Sequence, residues 1–511
     1  MSKLLITIGG TGSRGGNASI FALAANMADG LGDLLVMCMD KDTQNGTTAN
    51  FYSAMDTYDE LAKVLGKADQ RAFARFDIDP GRKGWTMEGI LGKDGGDTLE
   101  SYCTPESRKF LELFYTEKER KMSLRNGFER HPNIGSLVFE GIKVNPNFSA
   151  KIEEVLKEGH SEIFIIGSIF GGTGASMFVN IAQYIREQAM KFGEERSKSV
   201  LIGGALLLPY FNIPQVPQEE KKNEPLTDDD ITEATQTALG YYGNIPNLVR
   251  GGEPGCEAGH AIFDALYVAG LHPRCRITHE RSKAVYAKGG SNQTSECNVV
   301  DLLVASALCH FYKAAANPSN RELEIKHGET NQNLYVATLT ADDKSDFLQI
   351  GWDNLPANTE QLKTMLYFAL SVCGIFYPDY QIAKKKKNAI YCRYLKNGKK
   401  HKPGALIPLQ KFCATYLDFV FQIASTYADN APICDLVNRD KLEELLAFIE
   451  SQNYTAAVAK SWNENLSGVL GSQLSFSFSE LLQTLNGKFN FTKAETELDL
   501  INAIYRSCQT I

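Results

Sequence analysis

Two glycine-rich segments lie about 160 residues apart in this chain of 511 residues. The first reads IGGTGSRGGNAS, over Ile8–Ser19, and the second reads GSIFGGTGAS, over Gly167–Ser176. Each segment follows an apolar, strand-like run and leads into a helix-like run. Glycine lets a backbone approach a ligand closely, and the free N–H groups at a helix start attract phosphate. The pair therefore predicts that one polyphosphate is held from two sides, as in a nucleotide-binding protein.

Residues 1–226 alternate strand-like and helix-like runs. Such alternation predicts βαβ units in an α/β domain, with a parallel sheet and ligands at the carboxyl ends of its strands. We predict strands at Leu4–Ile8, Leu34–Met39, Ser136–Phe139, Glu162–Ile166 and Val200–Leu208, and helices at Asn17–Ala28, Phe148–Glu158 and Ala175–Phe192. We interpret residues 51–130, which are charged and mostly helical in pattern, as an insertion over the sheet.

Three further parts follow the first domain. A long helix is predicted within residues 227–250, because TDDD at its head combines capping residues with the acids that suit a first turn. Residues 251–404 mix strand-like and helix-like runs and predict a second α+β domain. Residues 405–511 have amphipathic helical spacing and predict a helical C-terminal extension.

Composition excludes several classes of protein. A net charge of −8 argues against a generally nucleic-acid-binding surface. The eleven cysteines contain no CxxC pair and the eight histidines no HxxxH spacing, so we predict reduced thiols and assign no metal site to these residues. The chain has no signal-peptide pattern and no apolar run of about 18 residues. We expect a cytoplasmic protein without a membrane span.

The first glycine segment supports an alternative. Gly10–Gly15 matches GxGxxG, and Asp40 ends the next strand, where a dinucleotide-binding fold places the acid that meets a ribose. An NAD(P)-dependent oxidoreductase is therefore a candidate. Such a fold does not require a second glycine segment, and neither segment contains the GK[ST] of a Walker motif. A further alternative is that the glycines serve only to pack helices on strands.

The ordered set of motifs resembles the tubulin/FtsZ superfamily, and most of all its divergent bacterial tubulin-like members. IGGTGSRGGNA resembles the first nucleotide loop of the FtsZ branch, and FGGTGAS resembles the tubulin signature loop. ALLLPYF, over Ala205–Phe211, resembles the strand that follows that loop, and the helix at Asp228 stands where the family has its central helix. NVVDLL, over Asn298–Leu303, stands where the family has its co-catalytic loop.

The resemblance implies a Rossmann-like GTPase domain that binds GTP or GDP with Mg²⁺ and assembles head to tail into filaments. It assigns nucleotide contacts in the two segments to Gly9, Gly10, Thr11, Gly12, Ser13, Gly16, Asn17, Gly171, Gly172, Thr173, Gly174 and Ala175. Asp40 or Asp42 would contact the ribose, or Mg²⁺ through water. Arg130 would be a charge partner near the γ-phosphate.

The resemblance also implies that a neighbouring subunit completes hydrolysis. Asp301, with Asn298 and Glu296 as further candidates, would polarise water on the neighbour's γ-phosphate. Asp301 also opens a helix-like run, where an acid can simply suit the helix dipole. The loop lacks the second acid of FtsZ, so a non-hydrolysing nucleotide-sensing scaffold of the same fold is an alternative.

The base-contacting positions depart from the family pattern. Thr232 and Gln236 stand where the family presents an Asn and an aromatic residue to guanine. Neither residue reproduces that contact, so ATP is an alternative to GTP.

Residues 384–402 are strongly basic within an acidic chain. They predict either an exposed hairpin or a contact with an acidic face of another subunit, an anionic membrane or nucleic acid. The C-terminal extension is a candidate surface for a further protein partner.

Overall fold

The computed structural model describes most of the chain. The described residues are 2–28, 31–42, 45–79, 85–87, 98–102, 105–124, 128, 131–157, 159–211, 228–251, 256, 258–271, 277, 296–316, 334–339, 351–352, 355, 360–383, 388–396, 403–428, 431–471, 474–489 and 494–511.

A parallel β-sheet forms the centre of the fold. Its strands pair in the order β3–β2–β1–β5–β6–β7–β8, and β4 also pairs with β2. All of these pairings are parallel. The strands are β1 (Ser2–Ile8), β2 (Gly32–Met39), β3 (Phe76–Ile78), β4 (Trp85–Thr86), β5 (Ser161–Ser168), β6 (Val200–Leu207), β7 (Ala265–Leu271) and β8 (Leu334–Leu339). A separate two-stranded sheet pairs β9 (Tyr427–Ala428) with β10 (Ala431–Pro432).

Helices account for most of the remaining described structure. They are α1 (Gly9–Ala24), α2 (Gly46–Leu65), α3 (Pro105–Phe114), α4 (Glu117–Arg120), α5 (Pro132–Lys143), α6 (Pro146–Lys157), α7 (Gly172–Lys191), α8 (Glu194–Lys198), α9 (Asp228–Gly243), α10 (Val299–Ala316), α11 (Glu360–Ser371), α12 (Tyr377–Ile382), α13 (Ile390–Arg393), α14 (Leu406–Ala424), α15 (Arg439–Ser451), α16 (Ala456–Asn465), α17 (Phe478–Phe489) and α18 (Glu497–Cys508). A π-helical turn at Val372–Phe376 joins α11 to α12. Short 3₁₀ turns lie at Ala68–Gln70, Leu99–Tyr102 and Leu466–Val469.

Alternate side chains of the strands enter two hydrophobic cores, one on each face of the sheet. Leu5 and Val36 face the larger core, which α1, α2, α10, α11, α14 and α18 complete. Leu4, Ile6 and Met37 face the second core, which α5, α6 and α7 complete. Burial on both faces explains why the strands are continuous apolar runs in the sequence. The α/β fold class and its parallel sheet are confirmed.

Two predicted elements have different bounds or types. The predicted strand Ser136–Phe139 is wrong, because these residues lie inside α5, where Ile134, Val138 and Ile142 are buried at helical spacing. The first helix begins at Gly9 rather than Asn17, so the glycines of the first segment form its first turns instead of a loop.

The sheet crosses two predicted boundaries. β7 and β8 lie beyond residue 251 but extend the same sheet as β1, so residues 251–404 do not start a separate sheet. The helix predicted within 227–250 is α9, and it crosses between the neighbouring strands β6 and β7. In the predicted insertion 51–130, α2 packs on α1, and β3 extends the sheet edge.

The C-terminal helical unit, α14 to α18, packs on the larger core. The Phe21 ring of α1 stacks on Phe419 of α14 with their centroids 4.8 Å apart. The Tyr505 hydroxyl of α18 donates a hydrogen bond to the carbonyl oxygen of Ala25, at 3.2 Å. The helical character of this part is confirmed, and it packs against the far end of α1 from the glycines.

The basic segment 384–402 is described only at residues 388–396. There the structure has the short helix α13 instead of the strand of a hairpin. Lys396 pairs with Glu495 at 2.8 Å on the surface. The lysines at 384–387 and residues 397–402 lie outside the described residues. Among the helices that the structure describes, none is long and apolar enough to cross a membrane.

Candidate functional site

The two glycine segments meet at the carboxyl ends of the adjacent strands β1 and β5. Gly9 has φ +68°, and a Cβ atom built on it would lie 3.4 Å from Cβ of Thr173. α1 and α7 therefore begin side by side, at the edge where parallel sheets bind ligands. The first N–H groups of each helix have no partner within their own helix, so the two starts together form an anion-attracting surface.

The predicted glycines divide into two roles. A Cβ atom on Gly12 would lie 2.7 Å from the Ile166 carbonyl oxygen, and one on Gly16 would lie 2.7 Å from Thr7 Cγ2. A Cβ atom on Gly174 would lie 2.4 Å from the Ser168 carbonyl oxygen. These three glycines let the helices pack directly on the strands. Of the predicted contact residues, four are half-buried and remain accessible, namely Gly10, Thr11, Gly171 and Ala175, whereas Gly172 and Thr173 are buried.

Polar groups from β2 and α2 line the side of the first segment. Asp40 Oδ1 accepts a hydrogen bond from the Asp42 backbone N–H at 3.1 Å. The Thr48 hydroxyl lies 3.4 Å from Asp40 Oδ2 and 3.4 Å from Ser13 Oγ. Burial raises the pKa of Asp40 to about 7, although the hydrogen bond from Asp42 opposes that shift. Asn45 caps α2 by accepting from the Thr47 N–H at 2.9 Å.

Asp301 and Asn298 form the cap of α10. The Asn298 side chain accepts from the Val300 N–H at 2.9 Å, and Asp301 Oδ2 accepts from the Asn298 N–H at 2.8 Å. Asn298 thus caps the second N–H of α10, and Asp301, at the third helical position, bonds back to the cap residue as the third residue of a capping box does. Arg14 of α1 donates Nε to the same Asp301 oxygen at 2.6 Å, and both side chains are buried. Burial raises the pKa of Asp301, and Arg14 opposes that shift.

The role of Asp301 on a neighbouring subunit stays a prediction. Its carboxylate is 0 % exposed and is bonded to an arginine of its own chain. A side chain held in this way would have to leave Arg14 before it could reach a nucleotide on another subunit. Asn298 is likewise 2 % exposed. Glu296 is exposed, two residues before the cap. The first turn of α10 adjoins the first glycine segment. The family resemblance instead placed the central helix at α9.

Where α1 meets the start of α10, a junction of buried side chains, four buried polar atoms have no hydrogen-bond partner among the described residues: Arg14 Nη2, Asn17 Oδ1, Asn298 Nδ2 and Asp301 Oδ1. The Arg14 guanidinium also lies over the Tyr210 ring, 5.4 Å from its centroid. An unsatisfied buried polar group costs about 1–3 kcal/mol. These atoms are donors and acceptors whose hydrogen-bonding capacity the described residues leave unused.

The two predicted base-contacting residues lie on α9. Thr232 is half-buried and Gln236 is exposed on α9, whose end is tied to the second segment by the Tyr242 hydroxyl donating to the Ala175 carbonyl oxygen, at 2.9 Å. An α-helix rises 1.5 Å per residue, so Thr232 stands about 15 Å along α9 from Tyr242. Arg130 lies outside the described residues.

Sequence reasoning missed four residues of the site: Arg14, Asn45, Thr48 and Cys297. Arg14 had a visible signal, because it is the charged residue inside the first glycine segment. The other three come from the starts of two other helices, α2 and α10, and carry no motif. Their proximity depends on the packing of α2 and α10 against α1.

Asp40 and Asp42 are the carboxylates at this site that could meet a metal ion. No group of three or more His, Cys, Asp or Glu residues within the described ranges could hold a metal ion. Mg²⁺ is usually bound by one or two carboxylates together with substrate phosphates and water. Asp40 and Asp42, both buried beside the first helix start, match that donor set.

Fold and site together define an α/β protein with paired helix starts at the carboxyl edge of a parallel sheet. A family model described as tubulin-like matches residues 122–225, which include the second glycine segment. This match supports a tubulin/FtsZ-like assignment, as the motifs predicted. No curated protein matches the chain.

Proposed function

We propose that this chain is a tubulin/FtsZ-like nucleotide-binding protein that holds a nucleoside triphosphate, GTP or ATP, with Mg²⁺. The observation that carries the proposal is the adjacency of the starts of α1 and α7, with Gly9 against Thr173. Phosphates would lie on Gly10, Thr11 and the Gly171–Thr173 turn. Backbone N–H groups and the positive ends of two helices favour bound anions there.

Asp40 and Asp42 would meet the Mg²⁺ ion at the same edge. The pKa of Asp40 is raised by burial, and a bound cation would favour its ionised form. The ion would neutralise phosphate charge, while the chain's own residues orient the phosphates and exclude water from them. Arg14 and Asn17 are one to two turns further along α1, where their orphaned polar atoms would meet the rest of the nucleotide.

The proposal extends to head-to-tail self-association with hydrolysis completed across the interface. A heterologous contact that does not close forms a filament, and a site completed by the neighbour couples turnover to assembly. Because Asp301 is engaged within its own chain, its predicted action in trans would require its release from Arg14. The non-hydrolysing scaffold is the second candidate, and the use of Asn298 and Asp301 as a helix cap favours it.

The test combines nucleotide binding, sedimentation and phosphate release with GTP, ATP, non-hydrolysable analogues and no nucleotide. Gly10→Glu places a carboxylate at the phosphate surface, and Gly141→Glu is the matched control, because Gly141 is exposed on α5 with open space around its Cβ position. We expect wild type and Gly141→Glu to bind nucleotide, and Gly10→Glu to lose binding.

The outcomes separate the candidates. Pelleting with an analogue, and turnover that rises steeply with protein concentration, would support hydrolysis in a polymer. Binding and pelleting without phosphate release would favour the scaffold. Failure of the wild type to bind any nucleoside triphosphate would overturn the proposal, and titration with NAD(H) would then test the oxidoreductase alternative.

A further inference from the structure

The C-terminal helical unit reaches the candidate site through one side chain of α14. Gln422 Oε1 accepts a hydrogen bond from the Cys297 backbone N–H at 2.9 Å. Gln422 Nε2 donates to Asp418 Oδ2 at 2.7 Å, one turn earlier on the same helix. These two bonds hold the Gln422 amide in one orientation. Cys297 immediately precedes Asn298, so α14 holds the chain where it enters the cap of α10.

Cys297 carries this contact on to α1. Asn17 Nδ2 donates to Cys297 Sγ at 3.5 Å, and Cys297 Sγ donates to the Arg14 carbonyl oxygen at 3.7 Å. All three residues are buried. The Asn17 amide uses its nitrogen on the thiol, and its oxygen has no partner among the described residues. The position of Cys297 therefore decides how Asn17 presents that oxygen.

We propose that Gln422 is a positioning residue of the nucleotide site, and that nucleotide binding is coupled through it to the packing of the C-terminal helical unit. This inference rests on the proposed function, because it concerns the same site. A nucleotide that orders Asn17 and Cys297 strengthens the bond to Gln422. By linkage, firmer packing of α14 raises nucleotide affinity by the same factor. The packing of the helical unit thus changes the affinity of the site for nucleotide.

Two substitutions at Gln422 separate the hydrogen bond from the packing of the side chain. Gln422→Met keeps the length but removes the acceptor, whereas Gln422→Glu combined with Asp418→Asn keeps an oxygen for the Cys297 N–H and a donor–acceptor pair between residues 418 and 422. Lys411→Met is the matched control on the same helix, because Lys411 forms an exposed ion pair with Glu60 of α2 at 2.8 Å. Affinities are measured with fluorescent analogues of GTP and of ATP.

We expect Gln422→Met to raise the dissociation constant about three- to tenfold, the range of one hydrogen bond. The Gln422→Glu/Asp418→Asn variant should restore at least part of that loss, and Lys411→Met should change affinity less than about twofold. A general loss of folding would instead weaken binding in both Gln422 variants and lower their thermal stability together.

Amide hydrogen exchange supplies a readout that does not need nucleotide. The peptide containing Cys297 should exchange faster in nucleotide-free Gln422→Met than in wild type, and nucleotide should slow exchange in wild-type α14. Wild-type binding with an unchanged dissociation constant in Gln422→Met, or with no protection of α14, would overturn the inference alone. Absence of nucleotide binding by the wild type would overturn the proposed function, and the coupling with it.

Discussion

Arg14 and Asp301 are 287 positions apart in the chain and form a buried ion pair, with Nε and Oδ2 2.6 Å apart. The pair joins the first glycine segment to the first turn of α10. In this pair Asp301, the predicted catalytic acid, is the counter-ion of Arg14 and also part of the cap of α10. The glycine segment is therefore positioned by α10 as well as by its own strand.

The Arg14–Asp301 pair predicts a large stability effect. Asp301→Asn keeps an acceptor for the Asn298 N–H but leaves Arg14 as an uncompensated buried charge. We expect a loss of about 3–5 kcal/mol in unfolding free energy, measured by denaturant titration. The double variant Arg14→Met/Asp301→Asn should recover much of the loss. Unchanged stability with abolished phosphate release would instead return Asp301 to a catalytic role.

Asp40 predicts a dependence of stability on pH. Its folded pKa is about 7, against about 3.9 in an unfolded chain, so the folded state binds the extra proton between these values. Stability is therefore greatest below about pH 4, as far as this group is concerned, and falls by about 1.4 kcal/mol per pH unit up to pH 7. Asp40→Asn should flatten this decline in melting temperature measured without nucleotide. Identical pH profiles for variant and wild type would refute the assignment.

The same carboxyl predicts the opposite pH trend for Mg²⁺-dependent binding. Protonated Asp40 cannot meet a cation, so the affinity for Mg²⁺-nucleotide should fall as the pH drops below 7. Titrations at pH 8 and pH 6, each with Mg²⁺ and with EDTA, measure the effect. Asp40→Asn should bind with little pH dependence. A Mg²⁺ effect in that variant as large as in wild type would place the ion elsewhere.

Gly12 predicts a packing defect. A Cβ atom there meets the Ile166 carbonyl oxygen at 2.7 Å, and backbone cannot move aside as a flexible side chain can. Gly12→Ala should therefore destabilise the protein by about 1–3 kcal/mol, as overpacking does. Gly141→Ala, on the exposed side of α5, is the control and should be neutral or slightly stabilising. Equal melting temperatures for the two variants would contradict the observed helix–strand contact.

Arg186 predicts an effect on stability that leaves the site intact. It donates to Asp264 Oδ2 at 2.6 Å and to the carbonyl oxygens of Ala261, Ser197 and Val200 at 2.6, 2.8 and 2.9 Å. These contacts lie at the amino ends of β6 and β7, roughly 20 Å from the carboxyl edge at the usual rise of a strand. Arg186→Met should cost about 3–5 kcal/mol without changing nucleotide affinity in the folded fraction.

Some features of the fold could be predicted because they are local. The apolar runs before each glycine segment predicted β1 and β5, and the period of 3.6 predicted the C-terminal helices. The prediction of a strand at Ser136–Phe139 was wrong because it considered these four residues without their neighbours. Over Ile134–Ile142 the buried residues recur at helical spacing, and Pro132 occupies the first turn.

The sequence by itself determined the α/β class, the two glycine segments and the tubulin-like resemblance, because these are carried by residue types at short spacing. Only the tertiary structure decided that β7 and β8 join the first sheet, that α10 adjoins the first segment, and that Asp301 pairs with Arg14. Only it brought Gln422 to Cys297. Such contacts arise from packing between elements that are far apart in the chain, whose relative placement is set by shared core burial rather than by any local pattern.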